Sequence, residues 1–311
     1  MTDYLPEGLR EDTTDWNALL ENEETVQRAI REKRIFEAIA QSCDREHNLW
    51  FSLGDHTGFM PRNDCALGIE TGQVREIAVI SRVNKPVCFR ILSWRTDEQG
   101  RIEPILSRTD VQKEAKAWLL SAHRPGDVID VVVRHLEPFG AFVDIGCGIS
   151  SLIATANLSV SRIDHPGARV RVGQAIKCVI REIDPNTGRF TLSQKELLGT
   201  WEENAAQFDI GCTVTGIVRS VENYGVFIEL TPNLSGLAEY SGPIDVNTRC
   251  AVFIKNIIPE RMKIKLSVIS TDPKPAPPAP PTPLKYYITS GCLRRWVYSP
   301  SGCGKVIETV F

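Results

Sequence analysis

The sequence predicts a mainly β protein built from three consecutive five-stranded barrels, with an N-terminal helix, two short helical connectors and a C-terminal β tail. A short motif recurs three times, as HNLWFSLG at 47–54, FGAFVDIG at 139–146 and YGVFIEL at 224–230. A closing motif recurs behind each copy, as EPILSR at 103–108, RFTLSQK at 189–195 and KIKLSV at 263–268. Counted between Trp50, Phe142 and Phe227, the copies lie 92 and 85 residues apart, which suits one small barrel per repeat.

Helical periodicity is found only outside the repeats. Asp15 is a suitable N-cap for one helix ending near Lys33, whose apolar face holds Trp16, Leu19, Leu20, Val26 and Ile30. Two connectors, at 109–122 and 195–208, each carry an apolar stripe that includes one tryptophan. We therefore expect one helix before the first barrel and one between each pair of barrels.

These signals divide the chain into eight segments. The predicted segments are an acidic helical segment (1–33), a degenerate first barrel (34–108), a helical connector (109–124), the second barrel (125–195), another connector (196–208), the third barrel (209–270), a Pro-rich linker (271–283) and a β-meander tail (284–311). Seven prolines in positions 272–283 exclude a helix or strand interior there. The tail reads as three short strands, KYYITS, LRRWVYS and KVIETVF.

Composition places the chain among globular proteins of a reducing compartment. Nine cysteines occur without a CxxC pair, and the N-terminus has neither a basic start nor an apolar block, so we expect a cytoplasmic protein without a signal peptide. The net charge is −3, yet residues 1–46 alone hold twelve acidic and six basic side chains. The remainder therefore carries +3, which is compatible with an acidic ligand.

Strand alternation predicts one large outward-facing ring per repeat. Successive strand residues point to opposite faces, so the aliphatic neighbours fill each barrel while Trp50, Phe142 and Phe227 face outward, in each case next to a polar residue. Phe139 and Tyr224 lie three residues before two of these rings, each followed by a glycine that permits a bulge and lets both rings share one side. The alternative is that connectors or a neighbouring barrel cover the rings.

A pair of exposed rings is suited to stacking against nucleobases, which contributes about 1–3 kcal/mol per base with little sequence preference. Basic side chains in the second repeat can meet phosphates, or can simply be solvated; they are Arg169, Arg171, Lys177, Arg181 and Arg189. The second repeat is therefore the predicted centre of weak, salt-sensitive binding to single-stranded RNA.

The segments GDVIDVVVRHLEP, FGAFVDIG, SLIATANLS, HPGARVRVGQAIKCVIREID and GRFTLSQK resemble the S1 RNA-binding motif, an oligonucleotide-binding (OB) fold repeated in the bacterial ribosomal protein S1 family. The resemblance is strong for 125–195, good for 209–269 and weaker for 34–108. In that family two aromatics, a third-strand histidine, and an aspartate and an arginine beside the last hairpin face RNA.

The resemblance implies RNA-facing roles for several residues of this chain. In the second repeat these are Phe139, Phe142, Asp184 and Arg189, while Ala154 stands at the histidine position. In the third repeat they are Tyr224, Phe227 and Lys263, with Glu239 replacing the histidine and Pro259 the aspartate. In the first repeat His47 and Trp50 stand at the aromatic positions.

No catalytic or metal-binding pattern emerges. The five histidines show no HExxH spacing and there is no GxxxxGK loop, so we assign no catalytic residue, no metal and no cofactor. Ten residues separate Cys292 from Cys303, and there is no second cysteine pair nearby, which favours ordinary thiols over a zinc site. Asp144 and Asp184 have no third group to orient them as an acid and base.

The resemblance implies a non-enzymatic single-stranded RNA-binding protein of translation, similar to a short ribosomal protein S1 that brings messenger RNA to the small ribosomal subunit. We expect a monomer when free and no membrane partner. Two alternatives remain open. The acidic helix and first repeat could dock onto a protein such as a ribosomal protein, with RNA incidental, or the chain could be an accessory factor of RNA decay or transcription.

Overall fold

A computed structural model describes residues 4–11, 13–97, 100–239, 242–271 and 284–311. The first barrel consists of β1 (Phe36–Cys43), β2 (Leu49–Leu53), β3 (His56–Met60), β4 (Pro86–Thr96) and β5 (Ile102–Ser107). The second consists of β6 (Val128–Glu137), β7 (Gly140–Asp144), β8 (Ser150–Ala154), β9 (Ala175–Ile183) and β10 (Phe190–Ser193). The third consists of β11 (Thr213–Glu222), β12 (Gly225–Thr231), β13 (Leu234–Ala238), β14 (Arg249–Ile258) and β15 (Lys263–Thr271).

All three barrels are closed and share one topology. In each, the first strand pairs antiparallel with the fourth, and the third strand lies parallel to the fifth. Closure leaves no unpaired edge strand, which is how five short strands form a stable small sheet. The predicted fold class, three tandem OB-type barrels, is confirmed.

Burial alternates along the strands in the same way as the apolar and polar residues from which the strands were predicted. Along β2 the residues Leu49, Phe51 and Leu53 are fully buried, while Trp50 is half-buried and Ser52 exposed. Along β7 the core residues Ala141 and Val143 flank the half-buried Phe142. The aliphatic face of each strand therefore fills its barrel, as the sequence indicates.

The predicted single N-terminal helix is two helices, α1 (Trp16–Leu20) and α2 (Glu23–Arg31). Asp15 caps α1 as predicted, since its side chain accepts from the Ala18 amide. Asn22 breaks the run because it adopts an extended backbone and caps α2 by accepting from the Thr25 amide. Asparagine competes with helical hydrogen bonding in this way more readily than most residues.

The helices α3 (Ile77–Ile80) and α4 (Arg108–Ala122) follow, and α4 occupies the first predicted connector. The second connector was predicted as one helix and is a 3-10 turn, Lys195–Leu198, followed by α5 (Trp201–Ala205). Gly199 separates them with a φ of +86°, a left-handed conformation, and Thr200 starts α5 with a capping box to Glu203.

The tail is a two-stranded sheet rather than the predicted three-stranded meander. β16 (Arg295–Val297) pairs with β17 (Glu308–Val310), and residues 285–290 form no strand. That segment instead contacts the second connector: the Tyr287 amide donates to Leu197 O at 2.8 Å, and the Tyr287 hydroxyl donates to Glu203 O at 2.9 Å. The predicted Pro-rich linker lies outside the described residues except for Thr271.

Contacts between Cα atoms group the chain into two compact units, residues 1–123 with 144–150 and residues 124–143 with 151–311. In the described part of the chain no helix is long and apolar enough to cross a membrane. The eight segment limits predicted above stay predictions.

Candidate nucleic-acid interface

The second barrel presents a pair of aromatic rings at the turn between β6 and β7. Phe139 is 59% exposed and its ring centroid lies 6.0 Å from that of Phe142, with the ring planes at 87°. The turn is fixed by Thr155, whose amide donates to Phe139 O at 3.0 Å. At Gly140 a Cβ would lie 2.5 Å from Ile153 O, so only glycine lets β7 approach β8 here.

A histidine completes this ring cluster, but it does not come from the strand that the resemblance indicates. Ala154 ends β8 at the family's histidine position, whereas His135 of β6 stacks on Phe142 at 6.3 Å and 29°. The imidazole Nε2 lies 2.7 Å from Glu137 Oε1. His135 is not among the predicted RNA-facing residues, although the two-residue connection between Glu137 and Gly140 places it opposite Phe142.

The third barrel repeats the ring pair. Tyr224 is 66% exposed, and its ring lies 6.2 Å from that of the half-buried Phe227 at 90°. Gly225 has a φ of +146°, and a Cβ there would lie 2.6 Å from Ala238 O. Ser220 stands opposite Phe227 across β11 and β12, where the second barrel has His135.

Asp184 shapes the last hairpin of the second barrel. Its carboxylate accepts from the Asn186 amide at 2.8 Å and from Thr187 Oγ1 at 2.6 Å, and its own amide donates to Arg189 O at 2.9 Å. The hydrogen bond from the Thr187 hydroxyl, assisted by the backbone amides, lowers the pKa of Asp184. The carboxylate therefore stays ionised and holds the turn that carries the exposed side chain of Arg189.

In the third barrel the corresponding hairpin carries Lys263, which is exposed and stands opposite Ile258. Pro259 opens a 3-10 turn in place of the capped aspartate turn, and Glu239 is exposed after β13. The hairpin of the second barrel thus exposes Arg189, and that of the third exposes Lys263 and Arg261, but only the second barrel has a carboxylate-capped turn.

Lys177 is not brought to the ring pair. Its Nζ forms an ion pair with Asp130 Oδ1 at 2.7 Å, and its amide donates to the Tyr286 hydroxyl at 3.1 Å. Asp130 lies opposite Lys177 and five residues before His135 on β6, which is about 17 Å at a rise of about 3.3 Å per residue. Lys177 therefore lies beside the tail, away from Phe139 and Phe142.

Of the other predicted phosphate contacts, Arg171 and Arg181 are exposed, and Arg181 also donates to Asn157 Oδ1 at 3.1 Å. The expectation for Arg169 is wrong. This residue is 2% exposed, and its Nη2 donates to Glu229 Oε2 at 2.5 Å. A buried guanidinium with a carboxylate partner does not meet a phosphate in solvent.

The first barrel holds a different ring pair. Trp50 stands directly opposite Phe59 across β2 and β3, with centroids 4.7 Å apart at 54°, and Arg95 lies 4.9 Å from the Phe59 centroid. The Trp50 indole N–H donates to Asp44 Oδ2 at 3.0 Å. His47, at the other aromatic position, lies in the preceding turn with a φ of +64°.

Asp44 anchors that turn. Burial favours its neutral form, but hydrogen bonds from Asn48, Trp50 and Glu46 outweigh burial and lower the pKa of Asp44 to about 2. Phe59 is not among the predicted residues, although it is the partner of Trp50. The tight Gly54–Asp55 turn between β2 and β3 was the available signal, because it sets this register.

The polar residues beside the outward rings are buried in the second and third barrels, whereas Ser52 of the first barrel is exposed. Asp144 is 1% exposed because it accepts from the Gly146 and Gly148 amides and from the Glu7 amide of the N-terminal segment, each at 2.9 Å. Glu229 is 6% exposed because it binds Arg169 and Arg219. Alternation gave their face correctly, and segments distant in sequence cover them.

Among the described residues no group of three or more His, Cys, Asp or Glu side chains could hold a metal ion. Cys292 and Cys303 of the tail are both free thiols in the structure.

Comparison with known proteins shows that the second barrel is similar to a known RNA-binding domain. Residues 122–195 match the model of the S1 RNA binding domain. The chain is 31% identical over 194 residues to small ribosomal subunit protein bS1 of Rhodopseudomonas palustris, covering 61% of this chain and 33% of that protein. It is 39% identical over 149 residues to bS1 of Staphylococcus aureus strain COL, covering 46% and 37%.

The chain thus spans about a third of the length of these curated relatives. Among solved structures it is similar to a multidomain protein with nucleic acid binding domains from Streptococcus pneumoniae TIGR4, at 11% identity over 76% of this chain and 73% of that chain, with a TM-score of 0.25.

Proposed function

We propose that the chain, whose residues 122–195 match the S1 RNA binding domain, is a member of that domain's family and binds single-stranded RNA without catalysing a reaction. The relatives are named as proteins of the small ribosomal subunit, and the proposed role is therefore in translation, in the cytoplasm, where the chain brings messenger RNA to that subunit. The proposed binding residues are the two ring pairs, Phe139 with Phe142 and Tyr224 with Phe227.

The observation that carries the proposal is the recurrence of one ring geometry in two barrels. Both pairs have centroids about 6 Å apart and planes within a few degrees of perpendicular, and in both the first ring is more than half exposed. An exposed pair of rings offers an apolar surface on which a ligand can bind. A nucleobase covers such a ring and releases its hydration, whatever the base.

Phosphate contacts come from cations on the neighbouring hairpins, Arg189 in the second barrel and Lys263 in the third. Both are exposed. Contacts of this kind are blind to sequence and weaken as salt displaces them, so binding falls as ionic strength rises.

Removal of the rings tests the proposal. We expect Phe139→Ala with Phe142→Ala to weaken binding to a labelled dodecauridylate by about tenfold or more, because stacking contributes about 1–3 kcal/mol per base. Tyr224→Ala with Phe227→Ala acts in the same direction. Fluorescence anisotropy of the full chain at fixed salt measures both.

The matched control is Val172→Ala with Ile210→Ala, two apolar side chains that are each 59% exposed. The control keeps the affinity of the original chain. An affinity unchanged by removal of both ring pairs together refutes the proposal.

A protein-docking role of the first unit is a second candidate, favoured by α3. Ile77 is 66% exposed and Ile80, one turn later, is 43% exposed, so two large apolar side chains share one face of a short helix. If this unit docks on a ribosomal protein, Ile77→Asp with Ile80→Asp abolishes co-sedimentation with small subunits while the affinity for dodecauridylate is kept. Docking is contradicted if the variant keeps both co-sedimentation and RNA affinity, or loses both.

A further inference from the structure

A cavity of about 400 Å³ lies within the second unit, where the loop of the second barrel that holds Arg169 meets the outer face of the third barrel. Its walls include Ile217 and Arg219 of β11, Glu229 of β12 and Arg249 of β14. Across these three strands Ile217 stands opposite Glu229 on one side and opposite Arg249 on the other. The cavity therefore opens on one continuous face of the third barrel.

The lining of this cavity is strongly basic. Its charged residues are four cations and one acid, giving a net charge of +3; they are Arg169, Arg219, Arg249, Lys285 and Glu229. Glu229 is shared, since its Oε2 lies 2.5 Å from Arg169 Nη2 and 2.6 Å from Arg219 Nε. One carboxylate balances only one of these two cations, whose side chains are 3% and 7% exposed.

Arg169 and Arg219, the two buried arginines of the cavity, contribute positive charge, but each of their side-chain nitrogens already donates a hydrogen bond. The remaining nitrogens of Arg169 donate to Ser159 Oγ and to Ala168 O, and Arg219 Nη1 donates to Asn247 Oδ1 at 2.8 Å. Burial lowers the pKa of Arg169 against the opposing effect of Glu229. An anion in the cavity would offset this excess of buried positive charge.

The two outer cations are placed for direct contact. Arg249 and Lys285 are both exposed, and neither has an ion pair among the residues that the structure describes. Lys285 Nζ lies 4.8 Å from the centroid of the Tyr287 ring, which orients it. Apolar wall is available beside them in Ile217 and Leu230, both half-buried.

We propose that this cavity binds a phosphate-bearing nucleotide, with Arg249 and Lys285 contacting the phosphate and the wall of Ile217 and Leu230 contacting the base. Guanidinium donors match phosphate oxygens in geometry, and the volume falls within the range of small-ligand sites. The nucleotide is either free or part of a bound RNA strand.

The alternative that the nucleotide belongs to a bound RNA rests on the proposed function, and the position of Phe227 on β12 supports it. Phe227 lies two residues from Glu229 on the same face of β12, a distance of about 7 Å. An RNA strand whose bases stack on Tyr224 and Phe227 therefore passes within about one nucleotide of the basic cavity.

Two probes separate the sources. Isothermal titration of the full chain with adenosine 5′-diphosphate reports a free nucleotide, and anisotropy with labelled dodecauridylate reports RNA. The test variant is Arg249→Gln with Lys285→Gln. The matched control is Arg294→Gln with Lys305→Gln, which removes the same two charges from exposed positions of the tail.

At least a fivefold loss of diphosphate affinity in the test variant, with the control unchanged, supports a free-nucleotide site. The same loss seen only with dodecauridylate supports a subsite of the RNA path. Equal behaviour of test and control variants with both probes, or no binding of either probe by the original chain, overturns the cavity proposal. If the original chain binds the diphosphate but not dodecauridylate, the proposed RNA function fails and the cavity proposal stands.

Discussion

The outward ring of the second barrel is supported by a residue from the neighbouring strand. His135 stacks on Phe142 at 6.3 Å, and Glu137 holds the imidazole at 2.7 Å. In the third barrel the equivalent position opposite Phe227 is Ser220, which offers no such support. At the scale of single residues, the two ring pairs therefore differ in how firmly the inner ring is held.

This difference predicts opposite effects of two substitutions on RNA binding. We expect His135→Ala to weaken binding to dodecauridylate by about two- to tenfold, since an aromatic pair contributes about 0.5–1.5 kcal/mol. Ser220→His is expected to strengthen it, because it supplies the missing ring. Anisotropy titrations measure both, and a Ser220→His chain with weakened binding contradicts the assignment.

A carboxylate of the first unit makes its stability depend on pH. Hydrogen bonds from Arg90, at 2.6 Å, and from Lys33, at 2.8 Å, lower the pKa of Glu114 to about 2. A carboxyl whose pKa is lowered by folding stabilises the fold above its ordinary pKa, and that contribution is lost as pH falls towards the folded value.

We therefore expect the first unit to lose stability between about pH 4.5 and pH 2. Glu114→Gln should be less stable at neutral pH and should lose less on acidification. Thermal melts followed by tryptophan fluorescence at several pH values measure the difference. Parallel pH profiles for the two chains would show that Glu114 contributes nothing.

Alternation along single strands was enough to predict that the side chains of Phe142 and Phe227 face away from the barrel interiors. It could not predict that Asp144 and Glu229, on the same faces, are buried. The partner of Glu229, Arg169, lies 60 residues away in sequence, and the Glu7 amide lies 137 residues from Asp144. Local pattern carries no information about contacts at that separation, and the same reason hid the burial of Arg169.

At the scale of elements, the tail packs against the apolar core of the third barrel. Trp296 of β16 and the neighbouring Tyr298 are each 5% exposed and belong to the apolar cluster that includes Trp201 of α5. The Tyr298 hydroxyl donates to Asn233 O, and burial raises the pKa of this phenol. The pairing of β16 with β17 thus supplies a cover for the barrel.

We expect Trp296→Ala to lower the free energy of unfolding of the second unit by about 3–5 kcal/mol, since it removes a buried indole and leaves a cavity. Val306→Ala, at a side chain that is 62% exposed, should change it by less than about 0.5 kcal/mol. Urea unfolding measures both. Equal, small effects would mean that the tail is only tethered.

Element existence followed from periodicity, whereas element ends depended on single capping residues. The apolar stripe that begins at Trp16 predicted a helix but not its interruption at Asn22, whose side chain caps α2 instead. At 195–208 the apolar spacing likewise gave no sign of the break at Gly199 and Thr200, where the 3-10 turn ends and α5 begins. Apolar spacing continues across such breaks because both pieces pack on the same surface.

At the scale of the whole molecule, an ion-pair triad joins the second and third barrels. Arg169 from the second barrel and Arg219 from the third share Glu229, and the three side chains are at most 7% exposed. The backbone adds to this joint, since the Val160 amide donates to Asn233 Oδ1 at 2.9 Å. We expect the two barrels to unfold together.

Glu229→Ala is expected to lower the free energy of unfolding of the second unit by about 3–5 kcal/mol, because it leaves two buried guanidinium groups without a counter-ion. Glu308→Ala, which breaks the exposed pair with Arg295, is the control and should cost less than about 1 kcal/mol. Hydrogen exchange with mass spectrometry then shows whether the barrels separate. Retained stability in Glu229→Ala would contradict a structural role for the triad.

The most direct test of RNA binding by the ring pairs is photo-cross-linking of the full chain to a dodecauridylate that contains 4-thiouridine, followed by peptide mass spectrometry. We predict cross-links in the peptides that contain residues 139–142 and 224–227. Cross-links confined to other surfaces, with both ring-bearing peptides unmodified at saturating RNA, would contradict the account.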